Sequence, residues 1–211
     1  MSKHNRVNRD FVGVGVALLS GARSHCVNYQ IGACAYSQDG RMIGTGYNGP
    51  VRGDVHCDEH GCAKIDGVGA ERRKRECRGA HAESNLFGNL SHQQELVGAT
   101  LYVSLCPCLD CAKAIAQRKI SRVVYVQAYH RIPSPQNPNI EEVDEVADFF
   151  SRNHVELVQY SINKTALIAE LRSCFGWQFS DAAHGCILMS FDGARIVPSD
   201  ISQKERARRR K

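Results

Sequence analysis

The chain has 211 residues, of which 43% are hydrophobic and 23% charged, enough for one domain with a full core plus an extension. No apolar run approaches the ~20 residues that cross a bilayer, and the opening MSKHNRVNRD lacks the apolar stretch of a secretory signal. We therefore expect a cytoplasmic protein without membrane contact. The net charge of +5 belongs to residues 204–211, which hold six basic residues and one glutamate. A neutral body argues against a nucleic-acid partner, and we interpret the tail as a solvated charged run.

The first part of the chain contains an ambiguous segment, a hairpin and a long loop. Residues 11–22 (FVGVGVALLSGA) alternate like a strand at their valines but also fit a helix, so periodicity leaves both open. IGACAY and MIGTGY, on either side of SQDGR, predict an antiparallel hairpin over residues 31–47. Residues 48–79 are rich in glycine, cysteine and charge. This composition predicts a long loop that a metal or ligand must order.

The next part predicts alternating helices and strands. In order, these are helix 81–90, strand 100–105, helix 108–119, strand 122–127, helix 140–150 and strand 155–160. Strand, helix and strand between residues 100 and 127 predict a βαβ unit with parallel strands, and the whole order predicts an α/β fold. We assign one domain to residues 1–163 and an extension with the basic tail to residues 164–211. No motif in the extension identifies its role.

The stretch CPCLDC places three of the ten cysteines within six residues. Cytosolic cysteines are kept reduced, so this cluster favours metal binding or chemistry over disulfides. Cys108 and Cys111 lie three positions apart at a helix start, where both thiols can take adjacent corners of a tetrahedron and the helix dipole favours thiolate. His81 can supply a third ligand, which leaves the fourth position of a zinc ion for water. We interpret Cys106 as a buried thiol, because Pro107 and the chain direction separate it from the other two.

Glu83 stands two residues after His81, close enough to move protons without competing for the metal. Each motif also has a simpler interpretation: the Cys-x-x-Cys could be a redox pair, and the His-x-Glu could occur in a helix by chance. In this order, however, His-x-Glu followed by Pro-Cys-x-x-Cys matches the signature of zinc deaminases. The sequence therefore predicts a catalytic zinc ion.

Several further segments carry a resemblance to one family. They are RSHC (23–26), IGAC (31–34), GTGYNG (44–49), GDVHC (53–57), HAESN (81–85) and LYVSLCPCLDCAKAIA (101–116). From about Phe11 to His130 the chain resembles the deoxycytidylate (dCMP) deaminase family, especially its phage and bacterial members. The resemblance implies a cytidine-deaminase-like three-layer α/β/α fold with a mixed five-stranded sheet, in which residues 11–22 form a helix.

The resemblance also implies hydrolytic removal of the 4-amino group of dCMP, which gives ammonia and dUMP for thymidylate synthesis. In this reading His81, Cys108 and Cys111 hold the zinc. Glu83 takes a proton from water and passes protons to N3 and to the leaving amine.

Nucleotide contacts follow from the same resemblance. Asn48, Asn85 and Tyr129 match residues near the substrate, although Asn48 also suits a turn and Tyr129 also suits packing. The family is often hexameric, activated by dCTP and inhibited by dTTP with Mg²⁺. The effector region of the family corresponds to four residues here: Gly46, Tyr47, Asn48 and Gly49.

Four other cysteines match cysteine-bearing positions of the family: Cys26, Cys57, Cys62 and Cys77. Three of them lie in the long loop that has no hydrophobic reason to be ordered. We expect a second, structural zinc site there, with His56 or His60 as substitutes for one thiol. The alternative is that these are free thiols.

Two other functions stay open. One is a nucleic-acid or tRNA editing deaminase, against which the neutral body and the GYNG loop argue. The other is a catalytically silent, zinc-stabilised DNA-uptake or binding protein, against which the intact His81, Glu83, Cys108 and Cys111 argue.

Overall fold

The computed structural model describes residues 7–62, 77–128 and 142–162, and the backbone of residues 188–192 and 195–199. The chain divides into two compact units. One is Asn8–Ile162, and the other joins Met1–Val7 to Asn163–Lys211. In the second unit, β8 (Leu188–Asp192) and β9 (Arg195–Ser199) pair as an antiparallel hairpin.

The first unit alternates helices and strands much as the sequence predicts. Its elements are α1 Arg9–Gly21, β1 Gly32–Tyr36, β2 Met42–Tyr47, β3 Gly49–Pro50, α2 Cys57–His60, β4 Gly79–Ala80, α3 Ala82–Asn89, a 3₁₀ turn Gln93–Leu96, β5 Thr100–Leu105, α4 Leu109–Gln117, β6 Arg122–Gln127, α5 Glu142–Arg152 and β7 Glu156–Gln159. The predicted hairpin, helices and βαβ unit are confirmed. The predicted long loop contains the short elements β3, α2 and β4.

Five strands form one mixed sheet in the order β2-β1-β5-β6-β7. Strand β1 is antiparallel to β2 and to β5, whereas β5, β6 and β7 are mutually parallel. Parallel neighbours need crossover connections, and α4 makes the one between β5 and β6. The predicted mixed five-stranded sheet is confirmed.

Helices cover both faces of this sheet. Side chains alternate between the two faces along each strand, so the strands contribute to a core on either side. The larger core packs α3, α4 and α5 on one face; its members include Ala33, Leu86, Leu101, Val103, Ile115, Val123, Val146 and Phe150. The smaller core packs α1 on the other face; it consists of Val14, Ala17, Cys34, Tyr102 and Val124. The fold is therefore the expected three-layer α/β/α arrangement.

The ambiguous segment near the N-terminus is a helix, α1. Its buried residues are Gly13, Val14, Ala17 and Gly21, a spacing of one to four positions that fits a single helical face. A Cβ atom on Gly13 would lie 2.5 Å from the ring of Tyr102, so only glycine lets the helix approach the sheet this closely. The alternating valines therefore do not mark a strand, because glycine-mediated packing against the sheet decides the conformation.

An ion-pair network ties the start of α1 to the sheet. Arg122 on β6 donates two hydrogen bonds to Asp10, at 2.7 and 2.9 Å, and a third to Glu156 on β7 at 3.1 Å. The Tyr102 hydroxyl donates to Asp10 at 2.9 Å. These bonds hold the pKa of Asp10 below its usual value, although partial burial opposes the shift.

Within the described ranges, no helix is both long and apolar enough to cross a membrane.

Candidate metal centre and active site

The centre lies where two helices begin. His81 is the N-cap residue of α3 and Cys108 is the N-cap residue of α4, and both have extended backbone conformations. Neither side chain makes the hydrogen bond by which an N-cap residue commonly satisfies its own helix. Both side chains are instead directed at a shared point, where the Cys108 Sγ lies 3.4 Å from the His81 Nδ1.

The distances at this point fit a metal. The Nδ1 atom of His81 lies 3.4 Å from the Cys108 Sγ and 3.3 Å from the Cys111 Sγ. Tetrahedral zinc, with Zn–S bonds of about 2.3 Å and Zn–N bonds of about 2.0 Å, needs its ligand atoms roughly 3.5 Å apart. Among the residues described, no other group of three or more histidine, cysteine or acidic side chains brings its ligand atoms within 4.8 Å of one another. One nitrogen and two sulfurs are also the donor types that zinc prefers.

The site is accessible from one side. His81 is exposed and Cys108 is partly exposed, whereas Cys111 is buried. Three protein ligands on a partly open site leave a position for water or substrate, which distinguishes catalytic from structural zinc sites.

One of the two thiols is prepared for metal binding. A hydrogen bond from Cys111 lowers the pKa of Cys108 to about 4, and His81 adds to this effect despite partial burial. The same pairing raises the pKa of Cys111, because its proton bonds to the Cys108 thiolate and because it is buried. The lowered pKa of Cys108 favours its thiolate, which is the form that binds a metal.

Glu83 lies in the first turn of α3, behind the metal ligands, and is 4% exposed. Burial raises its pKa, while a hydrogen bond from its own backbone amide and the nearby His81 oppose the shift. Its carboxyl group also forms a hydrogen bond with the Cys111 thiol. A carboxyl group with a raised pKa beside a metal centre can both accept and return protons, which general acid–base catalysis requires.

Asn85 attaches helix α3 to the loop after β2. Its side-chain amide donates to the carbonyl oxygen of Tyr47 at 2.8 Å and to that of Gly49 at 3.4 Å. Because Asn85 lies four residues after His81, this loop is held at the edge of the centre. The amide hydrogens are directed at the loop. The expected contact of Asn85 with substrate stays a prediction.

Asn48 supports a second loop. Its side-chain oxygen accepts from the backbone amide of Ile31, and its side-chain amide donates to the carbonyl of Tyr29, both at 2.8 Å. The Ser24 hydroxyl donates to the backbone carbonyl of Asn48 at 2.7 Å. Asn48 is buried, so its structural role here is clear, and its expected substrate contact stays a prediction.

The expected effector segment, Gly46 to Gly49, lies directly against α3. A Cβ on Gly46 would collide with the Ala82 carbonyl and lie 2.5 Å from the Leu86 amide nitrogen. A Cβ on Gly49 would meet nothing within 4 Å. Gly46 therefore permits the close packing of β2 against the helix that carries His81.

The four cysteines of the expected second zinc site are only partly brought together. Burial raises the pKa of Cys57, and the charges of Cys62 and Cys26 raise it further, whereas Arg78 lowers it. Cys62 is also buried. Cys77 is exposed, and its sulfur accepts a hydrogen bond from Gly79. These four side chains do not reach the ligand spacing of the first centre in the part of the chain that the structure describes.

Sequence reasoning missed one arrangement beside these cysteines. His25 lies 2.8 Å from the Asp58 carboxylate, and its ring centroid lies 4.0 Å from that of His56. The His56 Nδ1 atom is buried without a hydrogen-bond partner among the described residues. No local pattern links residues 33 positions apart, so the sequence carries no signal for the contact.

Two remaining residues complete the comparison with the sequence. Cys106 is 4% exposed and belongs to the larger core, which confirms it as a buried thiol. Tyr129 lies outside the described residues, so its expected contact with nucleotide stays a prediction.

The fold and the centre together define a class, the zinc-dependent deaminases of the α/β/α type. Residues 8–127 match the family model for the cytidine and deoxycytidylate deaminase zinc-binding region. This match covers more than half of the chain, so the chain belongs to the cytidine and deoxycytidylate deaminase family.

Individual relatives agree with this assignment. The deoxycytidylate deaminase of Saccharomyces cerevisiae is 38% identical over 114 residues, covering 54% of this chain and 36% of that protein. The chain thus spans about a third of the length of this yeast relative. The deoxycytidylate deaminase of Enterobacteria phage T2 is 33% identical over 150 residues, covering 55% of this chain and 78% of the phage protein.

A solved structure shares the fold. It is the dCMP deaminase of cyanophage S-TIM5 in complex with dCMP and dUMP, with a TM-score of 0.55 and 23% identity. The alignment covers 75% of this chain and 100% of the cyanophage chain.

Proposed function

We propose that this protein is a zinc-dependent deaminase that hydrolyses dCMP to dUMP and ammonia. The observation that carries the proposal is the set of His81, Cys108 and Cys111 ligand atoms beside a buried Glu83. The names of the yeast and phage relatives support the choice of dCMP as substrate.

The three ligands would hold one Zn²⁺ ion, which when bound supplies a Lewis acid that lowers the pKa of water to ~7. Because its pKa is raised, Glu83 is placed to accept one proton of the attacking water and pass it to N3, and then to transfer the second proton of that water to the leaving amine. Because His81 and Cys108 are exposed or partly exposed, the nucleotide can reach the metal. In this proposal Asn85 orients the nucleotide, and Asn48 and Tyr129 complete the substrate contacts.

Regulation and assembly are part of the proposal. From the resemblance of GTGYNG to the effector region of the family, we propose an effector site for dCTP as activator and dTTP as inhibitor, each with Mg²⁺, near Gly46, Tyr47, Asn48 and Gly49. We further propose a cytoplasmic homo-oligomer, with residues 164–211 as an extension to a deaminase domain of residues 1–163.

A second, structural zinc ion remains part of this proposal. The proximity of Cys26 and Cys62 to Cys57 supports it, since both raise the pKa of Cys57. Cys77 would be the fourth ligand. The check is metal content: two zinc ions per purified chain are expected, and one per chain in fully active protein contradicts the second site.

The activity is tested by mixing purified protein separately with dCMP, cytidine, dCTP and single-stranded DNA, each with and without dCTP or dTTP and Mg²⁺, followed by product analysis. We expect dCMP to be converted, and Glu83→Gln to slow the reaction by about 10²- to 10⁴-fold while zinc content is unchanged. Glu145→Gln is the matched control, because Glu145 is an exposed glutamate on α5.

Other products would point elsewhere. Conversion of DNA alone would favour an editing deaminase. A zinc-loaded protein that converts none of the four would favour a binding protein. An unchanged rate in Glu83→Gln would contradict the role of Glu83 whichever substrate reacts.

A further inference from the structure

Side chains of helices α3 and α4 meet near both ends of the two helices. The first place is the metal centre at their N-termini, where His81 meets Cys108 and Cys111. The second is near their other ends, where the guanidinium carbon of Arg118 lies 4.3 Å from the centre of the Phe87 ring. Phe87 is on α3, and Arg118 is the C-cap residue of α4.

The surroundings of Arg118 make the Phe87 ring its main partner. Its Nη1 atom donates to the Ala114 carbonyl at 2.9 Å, in the last turn of its own helix. Its Nε atom is buried without a hydrogen-bond partner, and no carboxylate lies within ion-pair distance among the described residues. A partly buried cation without a counter-ion gains from an aromatic face, and more so when water is excluded. The ring is 3% exposed, so this contact is largely desolvated.

The Phe87 ring is itself fixed. It belongs to the larger core, and the Gln93 side chain donates to the Phe87 carbonyl at 3.3 Å. At a rise of 1.5 Å per residue, Phe87 lies about 9 Å from His81 along the axis of α3, and Arg118 lies about 15 Å from Cys108 along the axis of α4. Two contacts separated by this length restrict both the spacing and the relative rotation of the helices.

We propose that Arg118 and Phe87 are positioning residues, which hold α3 against α4 so that the three metal ligands keep their spacing before metal binds. Metal sites tolerate deviations of only about 0.2 Å in ligand distances, so a small rotation of either helix is costly. This inference rests on the proposed zinc site and assigns a role to two residues outside it.

The test measures zinc affinity, not only activity. Wild type, Arg118→Met, Phe87→Leu and the double variant are stripped of metal, and the zinc dissociation constant is measured by competition with a chelator. The site is identified as the one that Cys111→Ser removes. Co²⁺ replaces Zn²⁺ in a second measurement, because its thiolate charge-transfer and d–d bands report the ligand geometry. The matched control is Arg152→Met, since Arg152 is an exposed basic residue in the last turn of α5.

We expect each single variant to weaken zinc binding about tenfold, a size typical of changes in packed side chains at a distance from a site, and to alter the Co²⁺ bands. The double variant should bind about as weakly as the weaker single variant, since both changes remove one contact. Arg118→Lys, which keeps the cation, should recover part of the affinity. Arg152→Met should bind zinc like wild type.

The inference is overturned if Arg118→Met keeps the wild-type affinity and spectrum, or if the effects of the two single variants add in full. Should Arg118→Met fail to fold, Phe87→Leu and Arg118→Lys decide by the same criteria. A wild-type chain that binds no zinc would contradict the proposed function as well, whereas unchanged binding in the variants contradicts this inference alone.

Discussion

His81 and Cys108 occupy the same position, the N-cap, on two different helices, and their ligand atoms lie 3.4 Å apart. A side-chain cap at such a position commonly stabilises a protein by about 1 kcal/mol, and neither residue provides one. Both helices therefore lack the stabilisation of a side-chain cap, because their N-cap side chains point to a common metal site instead. A bound metal restores stability by joining the two helices.

Metal removal should accordingly destabilise the fold. We expect a chelator to lower the melting temperature, and Cys111→Ser to weaken zinc binding by more than about 100-fold, beyond the usual effect of outer-shell changes. The control is Cys34→Ser, since Cys34 is a buried thiol on the other face that donates to the Gly13 carbonyl, as serine could. Calorimetry and chelator competition measure both effects. Equal zinc affinities in the two variants would contradict the assignment of Cys111.

Gly46 should tolerate no side chain. In Gly46→Ala the new methyl group would press on the backbone of α3, which cannot yield as a side chain can, so we expect a loss of about 2–3 kcal/mol in the free energy of unfolding. Gly49→Ala meets open space and should change it by less than about 0.5 kcal/mol. Urea unfolding compares the two. Similar losses in both variants would show that the close packing of β2 on α3 is not what Gly46 serves.

Asp10 should make stability depend on pH. Its folded pKa is lowered, mainly by the hydrogen bonds from Arg122, so its contribution is present above the unfolded pKa of about 4 and is lost as pH falls through the folded value. With side chains a fifth to a quarter exposed, we expect Asp10→Asn to cost about 1–2 kcal/mol at pH 7.

The difference in unfolding free energy between wild type and Asp10→Asn should shrink below pH 4, as followed by urea unfolding across pH 2.5 to 7. Comparing the two proteins at each pH cancels the effect of metal loss in acid. A difference that is constant with pH would show that the ion pair does not contribute.

Lys119 has a left-handed backbone, with φ of 56°, directly after α4. Residues other than glycine pay about 1 kcal/mol or more for this conformation, so Lys119→Gly should stabilise the protein by about 0.5–1 kcal/mol after the entropy of glycine is counted. Lys113→Gly, in the interior of the same helix, should destabilise it by about 1 kcal/mol. Thermal unfolding of both variants is the measurement. Destabilisation by Lys119→Gly would mean that the lysine side chain contributes more than the backbone strain costs.

The secondary structure was largely predictable because the relevant patterns are local. Strands β5 and β6 have the predicted bounds, and α3 differs from its prediction by one residue at each end. Segment 11–22 could not be assigned by periodicity, since its outcome depends on the approach of Gly13 to Tyr102, 89 positions away. The resemblance to a family supplied the helix where the pattern left it open.

For the metal ligands, too, one part of the arrangement was predictable from a local pattern and another part was not. The pairing of Cys108 with Cys111 is a consequence of helical spacing, which the sequence by itself determines. Their approach to His81, the contacts of Asn48 and Asn85 with neighbouring loops and the contact of Arg118 with Phe87 were decided by the tertiary structure alone. The physical reason is that residues three apart on a helix share a face whatever surrounds them, whereas residues 27 apart meet only after the sheet has packed both helices on one side.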